Sequence, residues 1–166
     1  MLEFLKANGL ACLSTDSIVR QLLSEDLSVV ESVIEHFGSE CKNEDGTVDR
    51  SRIAKIVFQS HSELEWLESL LHPLVKEAYA EFLKDHDQSP AVVEIPLLFE
   101  KRLEKDFDLS VSVICSDANA NKRLRLKGYS ERDITFRRQH QLSCSIKAER
   151  SDFVLSNDGS LNFLEQ

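Results

Sequence analysis

An acidic and a basic side chain stand four positions apart directly after the first apolar run of the sequence. Asp16 follows the run 10–14, and Arg20 lies one helical turn further on, so a helix would present both on one face. A carboxylate can orient a hydroxyl group and accept its proton, and a guanidinium can bind a phosphate. Two other interpretations remain open from these residues alone. Asp16 could be an acidic residue favoured by a helix dipole, and the two side chains could form a surface ion pair.

The stretch 122–138 is the most basic part of the chain. It holds seven basic residues against two acidic ones, Glu131 and Asp133, which is a surplus of five positive charges. The whole chain carries a formal charge of −9, which argues against a general binder of nucleic acid or anionic membranes. A phosphate-bearing ligand would therefore be bound by a local group of basic residues such as this stretch. The alternative is that the stretch is a helix face exposed to solvent. The basic residues are Lys122, Arg123, Arg125, Lys127, Arg132, Arg137 and Arg138.

Two proline-containing blocks add to these candidates. An H-P-L block occupies positions 72–74 inside a leucine-rich amphipathic segment, where a lone histidine is more often structural and where Pro73 should interrupt or begin a helix. A P-L-L-F-E block occupies positions 96–100, directly after the β-branched run 91–95. That placement is the carboxyl end of a predicted strand, which is where open α/β sheets bind their ligands.

Helical and strand periodicities alternate along the chain. Apolar runs predict strands at 10–14, 91–95, 109–115 and 153–156, and amphipathic stripes predict helices between them. Ser62 and Glu65 predict a capping box, and further helices are expected at 120–127 and 130–141. The alternation is typical of an α/β fold with a parallel sheet.

Cysteine spacing and hydropathy bear on the cellular environment. The four cysteines show no C-x-x-C spacing, which favours reduced thiols, and no run approaches the roughly 18 to 20 apolar residues of a membrane span. We therefore expect a cytoplasmic protein with no membrane or nucleic-acid partner. No metal-ligating set of residues is predicted.

Five blocks, taken together, resemble the dephospho-CoA kinases in order and approximate spacing. They are TDSIVRQLL (15–23), DGTVDRSRIAKIVF (45–58), LLHPLV (70–75), VVEIPLLFE (92–100) and NKRLRLKGYSERD (121–133). The resemblance implies a P-loop-kinase-like parallel sheet in a three-layer α/β/α arrangement, formed by a single domain over 1–166. Its core would comprise 1–24 and 90–166, with a helical substrate-binding insertion at about 25–89 and a basic lid at about 118–150.

The resemblance also implies roles for individual residues. Asp16 would engage the ribose 3′-hydroxyl of dephospho-CoA as general base or orienting group, and Arg123 would stabilise the transferring phosphoryl group, so these two are the predicted catalytic residues. The family usually has D-A-D where this chain has Ser14-Thr15-Asp16. The predicted substrate-binding residues are Arg20, His72, Pro73, Pro96, Leu97, Leu98 and Glu100. The predicted nucleotide-binding residues are Arg125, Lys127, Arg137, Gln141, Asn157 and Gly159.

A departure from the family concerns the phosphate loop. The family opens with a strand, a G-x-x-x-x-G-K-[ST] loop and a helix, and this sequence contains no such motif. The expectation is a truncated chain in which dephospho-CoA binds, while ATP with Mg²⁺ binds only if the opening segment is present. In relatives the opening strand lies between the strands corresponding to 91–95 and 109–115, so these two should form no continuous ladder here.

Three interpretations of function compete. The first is a dephospho-CoA kinase that is inactive as given, which would transfer a phosphoryl group from ATP to dephospho-CoA in the last step of coenzyme A biosynthesis. The second is a non-catalytic pseudokinase or a protein that binds dephospho-CoA or CoA. The third is another nucleoside or nucleotide kinase, against which the H-P-L and P-L-L-F-E blocks argue.

Overall fold

The computed structural model describes residues 1–159, which divide into two compact units. The first unit, Leu2–Ile95, holds two strands and five α-helices. Its opening helix ends at Ala7 and is followed by a turn at Gly9, whose φ of 85° suits glycine. The elements of the first unit are α1 (Leu2–Ala7), β1 (Ala11–Ser14), α2 (Thr15–Glu25), α3 (Leu27–Phe37), α4 (Arg50–Val57), α5 (His61–Asp85) and β2 (Ala91–Glu94).

The core of the first unit lies among α2, α3, α4 and α5. Apolar side chains at helical spacing on α3 supply its centre, because Val29 and Val33 are almost fully buried. Cys41 is equally buried, and burial raises the pKa of its thiol. Asp26 alone separates α2 from α3, and its side chain accepts the N–H groups of Ser28 and Val29 at the start of α3. A longer connection, residues 38–49, leads from α3 to α4.

Helix α5 differs from the prediction in two ways. It runs unbroken through 25 residues with Pro73 inside it, so the predicted interruption at Pro73 is wrong. A proline within a helix removes one backbone hydrogen bond, and the packing of the apolar residues on either side of it compensates for this loss. The helix also begins two residues earlier than expected, since Ser60 rather than Ser62 caps it by accepting the N–H of Glu63.

Strands β1 and β2 form a parallel pair in which Ala11 lies opposite Ala91 and Ser14 lies opposite Glu94. Because parallel strands end at the same edge of a sheet, the carboxyl end of β1 and that of β2 lie side by side. Helix α2 begins immediately at this edge, with no loop between Ser14 and Thr15.

The second unit begins at Pro96 and contains the other strand pair. Strands β3 and β4 are parallel, and Val111 lies opposite Phe153. Helix α8 lies against β3, where the Ser112 hydroxyl donates to the carbonyl of Lys147 at 3.3 Å. Helix α8 was not predicted from the sequence. The elements of the second unit are β3 (Val111–Ile114), α6 (Asp117–Leu126), α7 (Glu131–Gln139), α8 (Cys144–Arg150) and β4 (Phe153–Ser156).

The parallel direction of the strands is confirmed, and the strands form two separate sheets of two strands each. Within residues 1–159 no ladder joins β2 to β3, as the strand-order argument predicted. None of the helices in this part of the chain combines the length and apolar composition needed to cross a membrane.

Candidate active site

The junction between β1 and α2 places the predicted catalytic carboxylate. Asp16 is the second residue of α2 and is exposed to solvent at the carboxyl edge of the β1–β2 sheet. The residue before it, Thr15, is buried, and its hydroxyl donates to the carbonyl of Glu94 at 3.1 Å. Asp16 is therefore presented by a helix that starts at a sheet edge and is attached to the neighbouring strand.

Arg20 is exposed one turn further along α2, on the face that the sequence predicted. The alternative of a surface ion pair is wrong, because neither Asp16 nor Arg20 makes an ion pair or a side-chain hydrogen bond among residues 1–159. The backbone carbonyl of Arg20 accepts the Ser24 hydroxyl at 3.0 Å. A carboxylate and a guanidinium are thus both available to a ligand.

Glu94 is a further carboxylate at this edge, and the sequence analysis missed it. It is exposed, it ends β2, and it is the register partner of Ser14. A polar residue that ends an otherwise β-branched run, just before the P-L-L-F-E block, is the signal that could have identified it.

His72 and Pro73 lie together near the middle of α5, and both are exposed. The adjacent Leu71 is buried in the core of the first unit. The H-P-L block therefore turns its first two residues away from the core, so His72 is not a core histidine.

The P-L-L-F-E block forms a turn in the second unit, and its residues differ in environment. Pro96 is exposed, Leu97 and Leu98 are half-buried, and Phe99 is buried. The Glu100 carboxylate is largely buried. The block is therefore anchored by its last two residues, and Pro96 at its start is accessible.

Glu100 accepts two hydrogen bonds through one carboxylate oxygen. Lys147 on α8 donates from its Nζ at 3.0 Å, and the N–H of Leu142 donates at 2.8 Å. Burial alone would raise the pKa of the Glu100 carboxyl group, but the Lys147 ammonium and the Leu142 N–H outweigh that effect and hold the pKa below its ordinary value. The carboxylate predicted to bind substrate thus connects three segments of the second unit, and Lys147 is a partner that sequence reasoning did not find.

The structure brings two of the other predicted residues, Arg123 and Asn157, into contact. A terminal nitrogen of Arg123, on α6, donates to the Asn157 carbonyl at 2.8 Å. The N–H of Asn157 in turn donates to the carbonyl of Ile114 at 2.7 Å. Arg123 therefore lies at the carboxyl end of the β3–β4 sheet, beside the turn that contains Gly159.

Asp158, between Asn157 and Gly159, has a structural role in this turn. Its carboxylate accepts the N–H and the hydroxyl of Ser116 and the amide of Asn119, each at 2.8 Å. These hydrogen bonds lower the pKa of the Asp158 carboxyl group. The start of α6, and with it Arg123, is thereby fixed against the end of β4.

The remaining cations of the basic stretch divide into paired and exposed side chains. Arg125 forms an ion pair with Glu131, which raises the pKa of the Arg125 guanidinium, and Arg138 pairs with Asp117. Arg137 lies over the Tyr129 ring at 4.4 Å from its centroid. The side chains of Lys122, Lys127 and Arg132 are exposed and make no ion pair within residues 1–159, and Gln141 is exposed after α7.

The described residues do not by themselves fit a magnesium–nucleotide complex. No group of three or more His, Cys, Asp or Glu side chains in the described part is placed to hold a metal ion. The 166-residue sequence also contains no glycine-rich phosphate loop of the G-x-x-x-x-G-K-[ST] type.

Comparison with known proteins decides the family. The sequence profile described as dephospho-CoA kinase matches residues 1–162. The chain belongs to the dephospho-CoA kinase family. The resemblance drawn from the five blocks is therefore confirmed.

Relatives and solved structures agree with this assignment. The chain is 35% identical to the dephospho-CoA kinase of Protochlamydia amoebophila, with 99% of this chain and 83% of the relative covered. It is 31% identical to that of Bdellovibrio bacteriovorus, with 94% and 79% covered. A Thermus thermophilus structure gives a TM-score of 0.79 at 26% identity, covering 98% of this chain and 83% of that one. The dephospho-CoA kinase of Campylobacter jejuni gives 0.70 at 21% identity, covering 99% and 84%, which bears on the fold alone. The predicted P-loop-kinase-like α/β fold is confirmed by these neighbours.

Proposed function

We propose that this chain binds dephospho-CoA and supplies the acceptor side of a dephospho-CoA kinase. The reaction would transfer a phosphoryl group from ATP to the ribose 3′-hydroxyl of dephospho-CoA, in the last step of coenzyme A biosynthesis. The observation that carries this proposal is the start of α2, where Asp16 and Arg20 are exposed at the carboxyl edge of a parallel sheet and form no ion pair with any of residues 1–159.

Asp16 and Arg20 suit complementary parts of one acceptor molecule. The carboxylate can accept a hydrogen bond from the ribose 3′-hydroxyl and take its proton as the oxygen attacks phosphorus. The guanidinium can pair with a phosphate of the same substrate. His72 and Pro73 are exposed in the same unit and are proposed to line the acceptor pocket.

Arg123 is the residue proposed to offset the charge on the migrating phosphoryl group. In the described structure it donates to a backbone carbonyl, a weaker partner than an anionic oxygen. ATP is the expected phosphoryl donor. The proposed nucleotide-side residues are Arg125, Lys127, Arg137, Gln141, Asn157 and Gly159.

For the 166-residue polypeptide itself, we infer binding of dephospho-CoA without kinase turnover. Phosphate-loop N–H groups and the loop lysine supply much of the electrostatic stabilisation in P-loop kinases, and this sequence holds no such motif. A non-catalytic protein that binds dephospho-CoA or CoA is the second candidate, since the exposed Asp16 and Arg20 side chains would serve binding as well as catalysis.

Binding can be tested by calorimetric titration of the 166-residue chain with dephospho-CoA and, separately, with ATP. We expect measurable affinity for dephospho-CoA and weaker or no affinity for ATP. Arg20→Gln should weaken dephospho-CoA binding about tenfold, because a charge-assisted contact to phosphate is lost. Arg50→Gln is the matched control, since Arg50 is also exposed at the start of a helix. Tighter binding of ATP, or equal affinity of the Arg20 and Arg50 variants, would contradict the proposal.

Turnover needs a separate measurement of ADP release. The chain alone should show no activity above background, and turnover within tenfold of a full-length relative would refute that expectation. Joined to the strand–loop–helix segment of a relative, the chain should become active, and Asp16→Asn should then lower kcat far more than it raises KM. If that joined protein stays inactive while dephospho-CoA still binds, the binding-protein alternative is favoured.

A further inference from the structure

Thr15 is a buried hydroxyl-bearing residue at the point where β1 becomes α2. Its side chain is 7% exposed, although threonine is mostly a surface residue. A hydroxyl group buried in this way costs free energy unless it is hydrogen-bonded. Its partner is the backbone carbonyl of Glu94, at 3.1 Å, on the neighbouring strand.

This hydrogen bond lies where the β1–β2 ladder ends. Ser14 and Glu94 form the last register pair, and from Thr15 onward the backbone is helical. The first N–H groups of a helix point along its axis, so they no longer point across to a neighbouring strand. The Thr15 hydroxyl therefore replaces the next backbone donor and adds one hydrogen bond to the end of the β1–β2 ladder.

The hydrogen bond also holds the first turn of α2, which receives no capping hydrogen bond from the side chain of Ser14. Ser14 has the extended backbone of an N-cap residue, yet its side chain makes no capping hydrogen bond. The next side chain after Thr15 is that of Asp16, which is exposed and has no partner within residues 1–159. The position of Asp16 relative to β2 thus depends on the preceding hydroxyl.

We propose that Thr15 is a positioning residue for Asp16 in recognition of the acceptor hydroxyl. Thr15 does not touch the substrate, and it acts by holding the first turn of α2 against the end of β2. This inference rests on the proposed function, because it assumes that Asp16 meets a hydroxyl of dephospho-CoA.

The test is a calorimetric titration of the 166-residue chain and its variants with dephospho-CoA. Thr15→Val keeps the shape and removes the hydroxyl, and it should weaken binding roughly two- to tenfold, the effect of one hydrogen bond. Thr15→Ser keeps the hydroxyl and should bind within about twofold of the wild type. Since Thr15 acts through Asp16, the double variant Thr15→Val with Asp16→Asn should bind no more weakly than Asp16→Asn alone. Additive losses, or wild-type affinity of Thr15→Val, would overturn the proposal.

Thr135→Val is the matched control, because the exposed Thr135 hydroxyl donates to a carbonyl within its own helix, that of Glu131. It should leave binding unchanged. If Thr15→Val fails to fold, Thr15→Ala takes its place, since it removes the hydroxyl and introduces no new bulk.

Hydrogen exchange of the ligand-free chain separates failure of this inference from failure of the proposed function. Amides in the first turn of α2 should exchange about two- to tenfold faster in Thr15→Val than in the wild type or Thr15→Ser, while the last turn stays unchanged. If the wild type does not bind dephospho-CoA, the proposed function fails, and this comparison decides whether Thr15 positions the segment. Equal exchange in all three chains would overturn the inference.

Discussion

At the scale of single residues, the Glu100–Lys147 pair differs from the other ion pairs in the described part of the chain. Their side chains are only 12% and 18% exposed. The second carboxylate oxygen of Glu100 is buried and has no hydrogen-bond partner in the described structure, so the pair is not fully compensated. Removing one member would leave the other charge buried and unpaired, which is the costly case.

We expect Lys147→Met to lower the free energy of unfolding by about 2–4 kcal/mol at pH 7, because the Glu100 carboxylate loses its counter-charge. Urea denaturation measures this difference. Lys122→Met is the matched control, since Lys122 is exposed, and it should change the value by less than about 0.5 kcal/mol. Equal effects of the two substitutions would show that the Glu100–Lys147 pair contributes nothing to the free energy of unfolding.

The pH dependence of this site follows from the direction of the Glu100 shift. The pKa in the folded state lies below the ordinary value of 4.5, so the stabilisation is fully present above that pH and is lost as pH falls through the folded pKa. We expect the wild type to be more stable than Glu100→Gln at pH 7, with a difference that shrinks below about pH 4.5. Urea denaturation of both chains between pH 3 and pH 7 checks this. A stability difference that grows on acidification would mean that folding raises the pKa of Glu100 rather than lowering it.

The sequence predicted which side chains lie close together within one helix, but it did not predict contacts between segments that are distant along the chain. Asp16 and Arg20 share a face because helix geometry alone sets their spacing. Lys147 is far from Glu100 along the chain, and only the packing of α8 against β3 brings it close. The Thr15 hydroxyl and the Glu94 carbonyl likewise meet only because β1 pairs with β2.

At the scale of elements, tertiary packing keeps α5 continuous although it contains a proline, a residue that usually breaks a helix. Pro73 lacks the N–H that would donate to the carbonyl of Ser69, one turn earlier, yet the helix continues. Leu67 and Leu71 before the proline and Leu74 after it pack in the core of the first unit, which supports the helix on both sides. Local sequence predicted the break because it could not include these contacts.

We expect Pro73→Ala to raise the free energy of unfolding by about 1–3 kcal/mol, because it restores one backbone hydrogen bond and improves helix propensity. The midpoint of urea denaturation measures this gain. Glu77→Ala, at an exposed position one turn later in α5, is the control and should change stability by less than about 0.5 kcal/mol. A destabilised Pro73→Ala would mean that the native backbone of α5 requires the proline.

Strand and helix periods were sufficient to predict most of the secondary structure, but not the exact ends of the elements or the short helix α8. All four predicted strands are present, although β3 is three residues shorter than the predicted run 109–115. Helix α8 has only seven residues, so contact with β3 adds to the stabilisation that its N-cap residue, Ser143, provides.

At the scale of the whole molecule, the β3–β4 sheet has one face that is covered over β3 and one apolar face that is exposed on both strands. Ser112 is buried on the face against α8, where it accepts the Ser151 hydroxyl at 2.7 Å. Val111 and Val113 point to the other face and are about half exposed, at 52% and 45%. Their register partners, Phe153 and Leu155, are 57% and 37% exposed.

These features predict that the 166-residue chain associates as its concentration rises. Two-stranded sheets leave backbone N–H and C=O groups unpaired along their edges, and such edges, next to exposed apolar side chains, favour pairing between molecules. We expect sedimentation velocity to show a larger average mass at high than at low concentration. Replacing Phe153 and Leu155 by threonine should reduce that increase, because threonine keeps the strand preference and removes apolar area. Leu126→Thr is the control, since Leu126 is 79% exposed and belongs to α6 rather than to the sheet. A wild-type chain that stays monomeric throughout, or an equal response of the sheet and control variants, would show that this face and its edges are not the cause.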